Sequence, residues 1–371
     1  MKILYVTTIG GTMEFFNSLI KQLILEGHTV EIATNEKTSM VPELYRESGC
    51  KIYQIETSRS PLQKGNLTAI KQLRKIVLEQ NYDIVHCHTP VAAMCTRLAC
   101  RKVRKKGTRV FYTAHGFHFY KGAPLKNWLL FYPIEKICSY FTDMLITINK
   151  EDYALAKKKM KARKVVYVPG VGIDLEKFKL IAVDKAKKRK ELGILEDAIL
   201  LLSVGELNKN KNHEVIIRAV AKINNPKIYY CIAGRGELKN YLENLTKELG
   251  ISKQIKLLGF RNDIAELLQV TDVFCFPSRR EGLGLAAIEA MACGVPLITS
   301  YIHGIKDYSQ NGVTGYNCLP NDEEGFRQAI ENIIVSEEKR KQMGEYNQKF
   351  VSCYSIQVIN EQMKSLYMNI K

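Results

Sequence analysis

No window of this 371-residue chain approaches the roughly 18 consecutive apolar residues of a membrane-spanning helix. Its first residues, Met1-Lys-Ile-Leu-Tyr-Val-Thr-Thr8, run straight into a strand pattern, without an apolar signal core or a small-residue cleavage site. A cytoplasmic protein without a membrane span is therefore expected. No C-x-x-C pair occurs among the ten cysteines, which are scattered singly and mostly inside apolar runs. They read as small buried hydrophobes in a reducing compartment, not as a disulfide framework. The phosphate-loop pattern G-x-x-x-x-G-K-[ST] is missing, and no G-x-G-x-x-G follows the first strand, which argues against a P-loop nucleotidase and a nicotinamide cofactor. No Asp-x-Asp pair offers itself to a divalent metal, and His86-Cys-His88 lies in a strand pattern, where Cys87 faces away from both histidines. Neither metal nor cofactor is expected. Acid is scarce as well: 38 Asp and Glu stand against 55 Lys and Arg, a net charge of +17. That excess suits a polyanionic partner, whether nucleic acid, a phosphorylated substrate or an anionic membrane surface.

Short β-rich apolar runs alternate with longer amphipathic segments throughout, the signal for parallel sheets with crossover helices. Strands are expected at 2–7, 29–34, 51–55, 84–87, 109–114 and 144–147, with helices such as 13–26 and 67–80 between them. Turn residues at Pro169-Gly-Val-Gly-Ile-Asp174 interrupt this series. A second series follows, with strands at 199–204, 228–233, 255–258, 273–276 and 296–299. The length fits about two domains. The expected division is 1–172 and 173–354, with a last helix, 355–371, packing back on the first domain. In such sheets ligands bind outside the carboxyl ends of the strands, which directs attention to an interdomain cleft and to the loops that follow strands.

Those loops carry the informative residues. In Ser278-Arg-Arg-Glu281-Gly-Leu-Gly-Leu-Ala-Ala-Ile-Glu289 two carboxylates bracket a glycine-rich helix start. With the helix beginning near Gly282, the free amides of Gly282, Leu283, Gly284 and Leu285 form an anion site, since glycine lets phosphate approach the backbone. Glu281 and Glu289 would then accept hydrogen bonds from sugar hydroxyls, a nucleotide-sugar site. The same pattern also fits an amphipathic helix with a first-turn glutamate. In Gly205-Glu-Leu-Asn-Lys209-Asn-Lys211-Asn-His213, Gly205 admits a ligand to the backbone and Lys211 reaches a diphosphate, or else is a solvated lysine near an Asn N-cap. His115, at a strand end before Gly116, is either a hydrogen-bond donor to a sugar or a satisfied core histidine. The basic run with Arg101, Lys105 and Lys106, and the mixed segment 117–133 with Lys121, Lys126 and Trp128, suit an anionic membrane interface. They also suit solvated helix faces or single-stranded nucleic acid.

Taken in order, several motifs resemble the retaining glycosyltransferases of family four, which have the GT-B fold. They are Gly10-Gly11, Thr113-Ala-His115-Gly116, Val168-Pro-Gly-Val-Gly-Ile-Asp174, Val204-Gly205 to Lys211-Asn212 and Ala233-Gly-Arg235-Gly236, then Leu258-Gly-Phe260, Pro277 to Glu289, Ala292-Cys-Gly-Val-Pro296 and Asn311-Gly-Val-Thr-Gly315. The resemblance covers nearly the whole chain. His115-Gly-Phe-His-Phe119 is similar to the bacterial branch that builds capsular and extracellular polysaccharides on polyprenyl-diphosphate lipids. It implies an α/β fold of two facing Rossmann-like domains and a metal-independent retaining hexosyltransferase. The implied donor is a UDP-sugar, with an N-acetylated hexosamine or deoxyhexosamine moved to a polyprenyl-diphosphate-linked saccharide at the inner face of the membrane, without nucleic acid. Carried over, Glu281 and the following amides hold the sugar and Glu289 the ribose. Lys211 and the loop at Gly11 meet the diphosphate, Phe260-Arg261 receives the base, and His115 contacts the transferred sugar. The chain departs from the family at Glu206, where many members carry Arg; Lys209 or Arg235 is the expected substitute. A GT-B-shaped UDP-sugar epimerase and a basic nucleic-acid-binding protein are the competing readings.

Overall fold

The computed structural model describes residues 1–178 and 181–369. They form two α/β units. The first comprises Met1–Gly172 and the C-terminal helix Ile356–Met368; the second comprises Ile173–Ser355. Residues 370–371 of the expected last helix lie outside the described residues.

In the first unit β1 (Lys2–Val6), β2 (Thr29–Thr34), β3 (Ile52–Gln54), β4 (Ile84–His88), β5 (Arg109–Ala114), β6 (Met144–Thr147) and β7 (Lys164–Tyr167) form one sheet. Its order is β3-β2-β1-β4-β5-β6-β7, and every pairing is parallel. β1, β4 and β6 are buried along nearly their whole length, as expected of strands covered on both faces by helices. The C-terminal helix is tied down by Tyr367, whose hydroxyl meets that of Tyr5 at 2.5 Å, and by Asn360, which donates to Ser18 Oγ at 2.9 Å.

The second unit repeats the plan with β8 (Ile199–Val204), β9 (Ile228–Ala233), β10 (Ile255–Gly259), β11 (Val273–Phe276), β12 (Leu297–Ser300) and β13 (Gly315–Cys318), ordered β10-β9-β8-β11-β12-β13. Both are doubly wound nucleotide-fold sheets. The chain reverses its winding between β1 and β4 and again between β8 and β11, and these switch points are where such sheets bind ligands.

Eleven of these thirteen strands match runs legible in the sequence; β7 and β13 do not. β7 starts at the end of a lysine run and β13 reads Gly-Tyr-Asn-Cys, and both are edge strands that lack a continuous apolar signal. β12 begins at Leu297, because Pro296 has no amide to pair. The helix expected over 13–26 is instead a 3-10 turn, Gly10–Phe16, leading into an α-helix, Asn17–Leu25.

Candidate active site

The switch point of the second unit holds the main cluster. Lys211 follows β8, Glu281 follows β11, and their side chains meet as an ion pair, Nζ to Oε1 at 2.6 Å. The ammonium also lies 4.9 Å from the centre of the Phe276 ring, a favourable cation–π position. The two loops are fastened to each other by backbone. Arg279 N donates to Asn210 O at 2.7 Å, and Asn210 Nδ2 donates to Arg280 O at 3.0 Å.

Asn212 is the bolt. Its φ of +55° lies in the left-handed region, which asparagine enters more readily than most residues. Instead of capping the helix His213–Ile223, its side chain reaches across the loops. Nδ2 donates to Pro277 O at 3.1 Å and Pro320 O at 2.8 Å, while Oδ1 accepts from Arg279 Nε and Nη2. Asn212→Ala removes these bonds and leaves a strained backbone. The expected loss is about 2–3 kcal/mol of stability in the second unit, read by urea denaturation; a loss below about 0.5 kcal/mol would show the bolt to be unimportant.

Glycines bring the neighbouring loop close. A Cβ on Gly234 would lie 1.9 Å from Gly205 O, and one on Gly236 would lie 2.4 Å from Leu207 O. The Gly234-Arg235-Gly236 turn therefore stacks on the Gly205–Leu207 backbone. Arg235 is exposed, with its guanidinium 5.5 Å from the Phe260 ring centre, and Phe260 is itself 63% exposed. The Arg261 side chain is turned into an acidic network. Nε pairs with Asp263 Oδ1 at 2.7 Å and Nη2 with Glu191 Oε1 at 2.8 Å. Lys188 joins through Asp263 and Glu266. The Asp263 carboxyl is accordingly held below its usual range, first by Arg261. Glu206 is exposed, its carboxylate accepts from Asn208 Nδ2 at 2.8 Å, and Lys209 is exposed beside it.

The glycine-rich helix starts later than its sequence suggests. Leu285–Ala292 is helical, whereas Gly282 and Leu283 belong to the loop. Gly284 has φ +90°, and a Cβ there would lie 2.5 Å from the Phe276 ring. Leu283 is buried as core. The amides left without intrahelical acceptors are thus those at the Leu285 end, not a run from Gly282. Glu289 lies four residues into this helix, roughly 6 Å along its axis. It is half-buried, and no described residue donates a hydrogen bond to its carboxylate. Burial pushes its carboxyl up, with Lys177 opposing weakly. Sequence reasoning did not single out Ser278 and Tyr308, whose hydroxyls are buried without partners among the described residues. Only folding brings Tyr308 to Gly284, its hydroxyl 2.9 Å from a notional Cβ there, whereas Ser278 stands three residues before Glu281 in the same loop.

In the first unit His115 is not isolated. Its Nε2 lies 3.1 Å from Nδ1 of His88, and His86 bridges Tyr367 at 2.7 Å and Thr113 at 2.8 Å. Burial holds the His115 imidazole down at about 4 and His86 at about 3, so both are neutral. Cys87 faces the opposite core, donating to Phe111 O at 3.2 Å. Gly11 is pressed on Ser39, 2.5 Å from a notional Cβ to Oγ, so packing accounts for a glycine there. Thr89, which sequence reasoning missed, adopts φ +65° at the β1/β4 switch point, where Thr8 Oγ1 lies 2.6 Å from its own Oγ1. For a β-branched residue this is a strained conformation. Trp128 is half-buried, 5.5 Å from the Phe119 ring and 5.8 Å from Tyr132. Lys121, Lys126, Arg101, Lys105 and Lys106 are exposed. Among the described residues no helix is long and apolar enough to cross a membrane, and no group of three or more His, Cys, Asp or Glu is placed to hold a metal ion.

Two doubly wound units, with charged groups gathered at a switch point, define a GT-B group-transfer enzyme. Residues 2–149 match the family described as glycosyl transferase 4-like, and residues 184–350 the glycosyl transferases group 1. EpsD of Bacillus subtilis (strain 168) is 36% identical over 371 residues, covering 99% of this chain and 96% of its own. The UDP-Gal:alpha-D-GlcNAc-diphosphoundecaprenol alpha-1,3-galactosyltransferase of Escherichia coli is 31% identical, covering 82% of this chain and 81% of its own. The crystal structure of Anabaena HepE in complex with UDP superposes with a TM-score of 0.83 at 20% identity, over 99% of this chain and 100% of that one. The chain belongs to the family-four glycosyltransferases with the GT-B fold, and it is a glycosyltransferase.

Proposed function

We propose that this glycosyltransferase moves a hexosyl unit, an N-acetylated hexosamine or deoxyhexosamine, from a UDP-sugar to a polyprenyl-diphosphate-linked saccharide at the inner face of the cell membrane. The product would serve capsular or extracellular polysaccharide assembly, and transfer would retain the anomeric configuration without a metal. The observation that carries this reading is the Lys211–Glu281 pair at the β8/β11 switch point, with the half-buried Glu289 carboxylate on the next helix. The diphosphoundecaprenol acceptor in the name of the Escherichia coli relative and the UDP bound by Anabaena HepE support it.

Lys211 already faces an anion, so an arriving diphosphate shares its charge with Glu281. The sugar C1–oxygen bond breaks with its electron pair passing to the diphosphate, where Lys211 and the amides at Leu285 stabilise the developing charge. The acceptor oxygen bonds to C1 from the same face and gives its proton to the departing phosphate oxygen. Glu281 accepts from sugar hydroxyls and Glu289 from those of the ribose. Arg235 and Phe260 flank the base, and Lys209 supplements Lys211 where Glu206 replaces the family arginine. In the first unit neutral His115 offers a ring hydrogen bond to the sugar.

A panel of UDP-sugars assayed with polyprenyl-diphosphate-linked acceptors in the presence of chelator, with the product linkage read by NMR, tests the reading. Consumption of donor without acceptor would point to an epimerase and sink it. Glu289→Ala should weaken UDP binding about tenfold or more, the loss of a charged hydrogen-bond acceptor. In the parent protein UDP affinity should fall as pH drops through the raised Glu289 carboxyl range, above the pH at which an ordinary glutamate is protonated, since only the ionised form accepts both ribose hydroxyls. Calorimetric titration across pH checks this, and an affinity flat through the mildly acidic range would contradict it.

A further inference from the structure

Strand register gathers three histidines of the first unit. Alternate residues of a strand share a face, so His86 and His88 stand side by side at the end of β4, and the parallel pairing of β4 with β5 sets His88 opposite Thr113. His115 follows Thr113 by two residues and comes to the same corner, its Nε2 3.1 Å from His88 Nδ1.

The His88 ring is held in place by its neighbours. It is 2% exposed, the rings of Phe16 and His86 lie against it with centres 4.2 Å away, and Tyr5 is stacked on it at 5.5 Å. His86 is bonded at both nitrogens, to Tyr367 and to Thr113, so it walls the His88 ring and takes no hydrogen bond from it. His88 differs. Its Nε2 is buried, and no described residue bonds it. Burial holds this imidazole well below its usual range, with His86 and His115 adding to the effect. His88 is therefore neutral and has one proton to place.

The orphan nitrogen decides where that proton sits. In a neutral imidazole one nitrogen donates and the other accepts. If His115 Nε2 were the donor, His88 Nδ1 would accept, and the His88 proton would be sealed on Nε2 with nothing to bond. A buried donor left in that state carries its full desolvation penalty. The reverse arrangement leaves only a lone pair unmatched, the milder defect.

We propose that His88 is a positioning residue: its Nδ1–H donates to His115 Nε2, and His115 is thereby held as the tautomer that carries its proton on Nδ1 and offers that N–H to the transferred sugar. His115 Nδ1 suits the role, since it makes no hydrogen bond among the described residues and is not sealed from solvent. A neutral imidazole in water prefers its proton on Nε2, so the tautomer needed here is one that a neighbour must impose. The sugar contact rests on the reading above, whereas the tautomer does not depend on it.

NMR of the full-length protein with isotope-labelled histidine reads which ring nitrogen of His115 bears the proton, and the signals lost in His115→Asn assign that residue. The parent should show Nδ1–H, and His88→Phe should move the population toward Nε2–H. In transfer assays His88→Phe should lower kcat/KM for the donor about tenfold, the loss of one oriented hydrogen bond, with UDP affinity within about twofold of the parent. His88→Asn should restore transfer, because its amide nitrogen stands as many bonds from the backbone as Nδ1 does; His88→Gln, whose amide reaches the Nε2 position, should not. Placed on His115→Asn, which has no tautomer to lose, His88→Phe should cost less than about twofold further. A His115 proton on Nε2 in the parent, or one tautomer shared by the parent and His88→Phe, overturns the proposal. So do equal losses in all three His88 variants, or a His88→Phe loss as deep on His115→Asn as on the parent. If the parent transfers to no acceptor, the functional reading fails while the tautomer result stands on its own.

Discussion

Replacing Glu281 with glutamine is expected to lower the transfer rate about 10²–10³-fold while leaving UDP affinity unchanged or raised. The two effects part because of the ion pair. Glu281 Oε1 is the anion held by Lys211 at 2.6 Å, and the two side chains are only 14% and 21% exposed. Glutamine keeps the shape of the site but removes the charge, so the lysine loses its counter-ion and meets an incoming diphosphate undivided. The donor sugar, however, loses a charged partner for its hydroxyls as positive character develops at C1. A single preorganised group of this kind is worth about 10²–10³ in rate. Steady-state kinetics beside calorimetric titration with UDP decides the matter. A rate within threefold of the parent, or a UDP affinity lowered more than tenfold, would move Glu281 out of the sugar site. Lys211→Ala should slow transfer too but weaken UDP binding, and this contrast in affinity separates the two roles.

The second large effect is structural. Arg97 is fully buried; its Nη1 meets Glu135 Oε2 at 2.8 Å, its Nε donates to Ala93 O at 3.0 Å, and its guanidinium lies 4.3 Å from the Tyr112 ring centre. Arg97→Leu leaves the Glu135 carboxylate buried with, among the described residues, only the Tyr112 hydroxyl, 3.3 Å away. Removing one partner of a buried pair costs about 3–5 kcal/mol, which lowers the melting temperature of the first unit by about 10 °C. Arg97→Leu with Glu135→Leu should recover much of that loss, because the desolvated charge is gone. Scanning calorimetry on both variants checks it, and a single-mutant loss below 1 kcal/mol would contradict the burial.

Much of the fold was legible because its signals are local. The alternation of apolar runs and amphipathic segments marks eleven strands, and Gly-rich strand ends mark the loops that matter. Where the sequence misled, the cause was non-local. The helix carrying Glu289 starts at Leu285 because Gly284 adopts φ +90°, outside the right-handed helical region, with the Phe276 ring packed beside it. Arg261 serves an acidic network whose members, Glu191 and Lys188, lie some 70 residues earlier. The helix that carries Trp128 turns it toward Phe119 and Tyr132 and leaves leucines outward, a division only the packing decides.

By itself the sequence determined the class of fold, the two-unit plan, the basic charge and the strand-end loops on which Lys211, His115 and Glu281 stand, since periodicity and turn chemistry act over a few residues. The tertiary structure alone decided who meets whom. Lys211 pairs with Glu281 across 70 residues of chain, His115 with His88 across 27, and Asn212 ties down loops that no local pattern joins. Those pairings depend on strand order, which places the carboxyl ends of β8 and β11 side by side, and strand order is settled only when the whole sheet closes on its core.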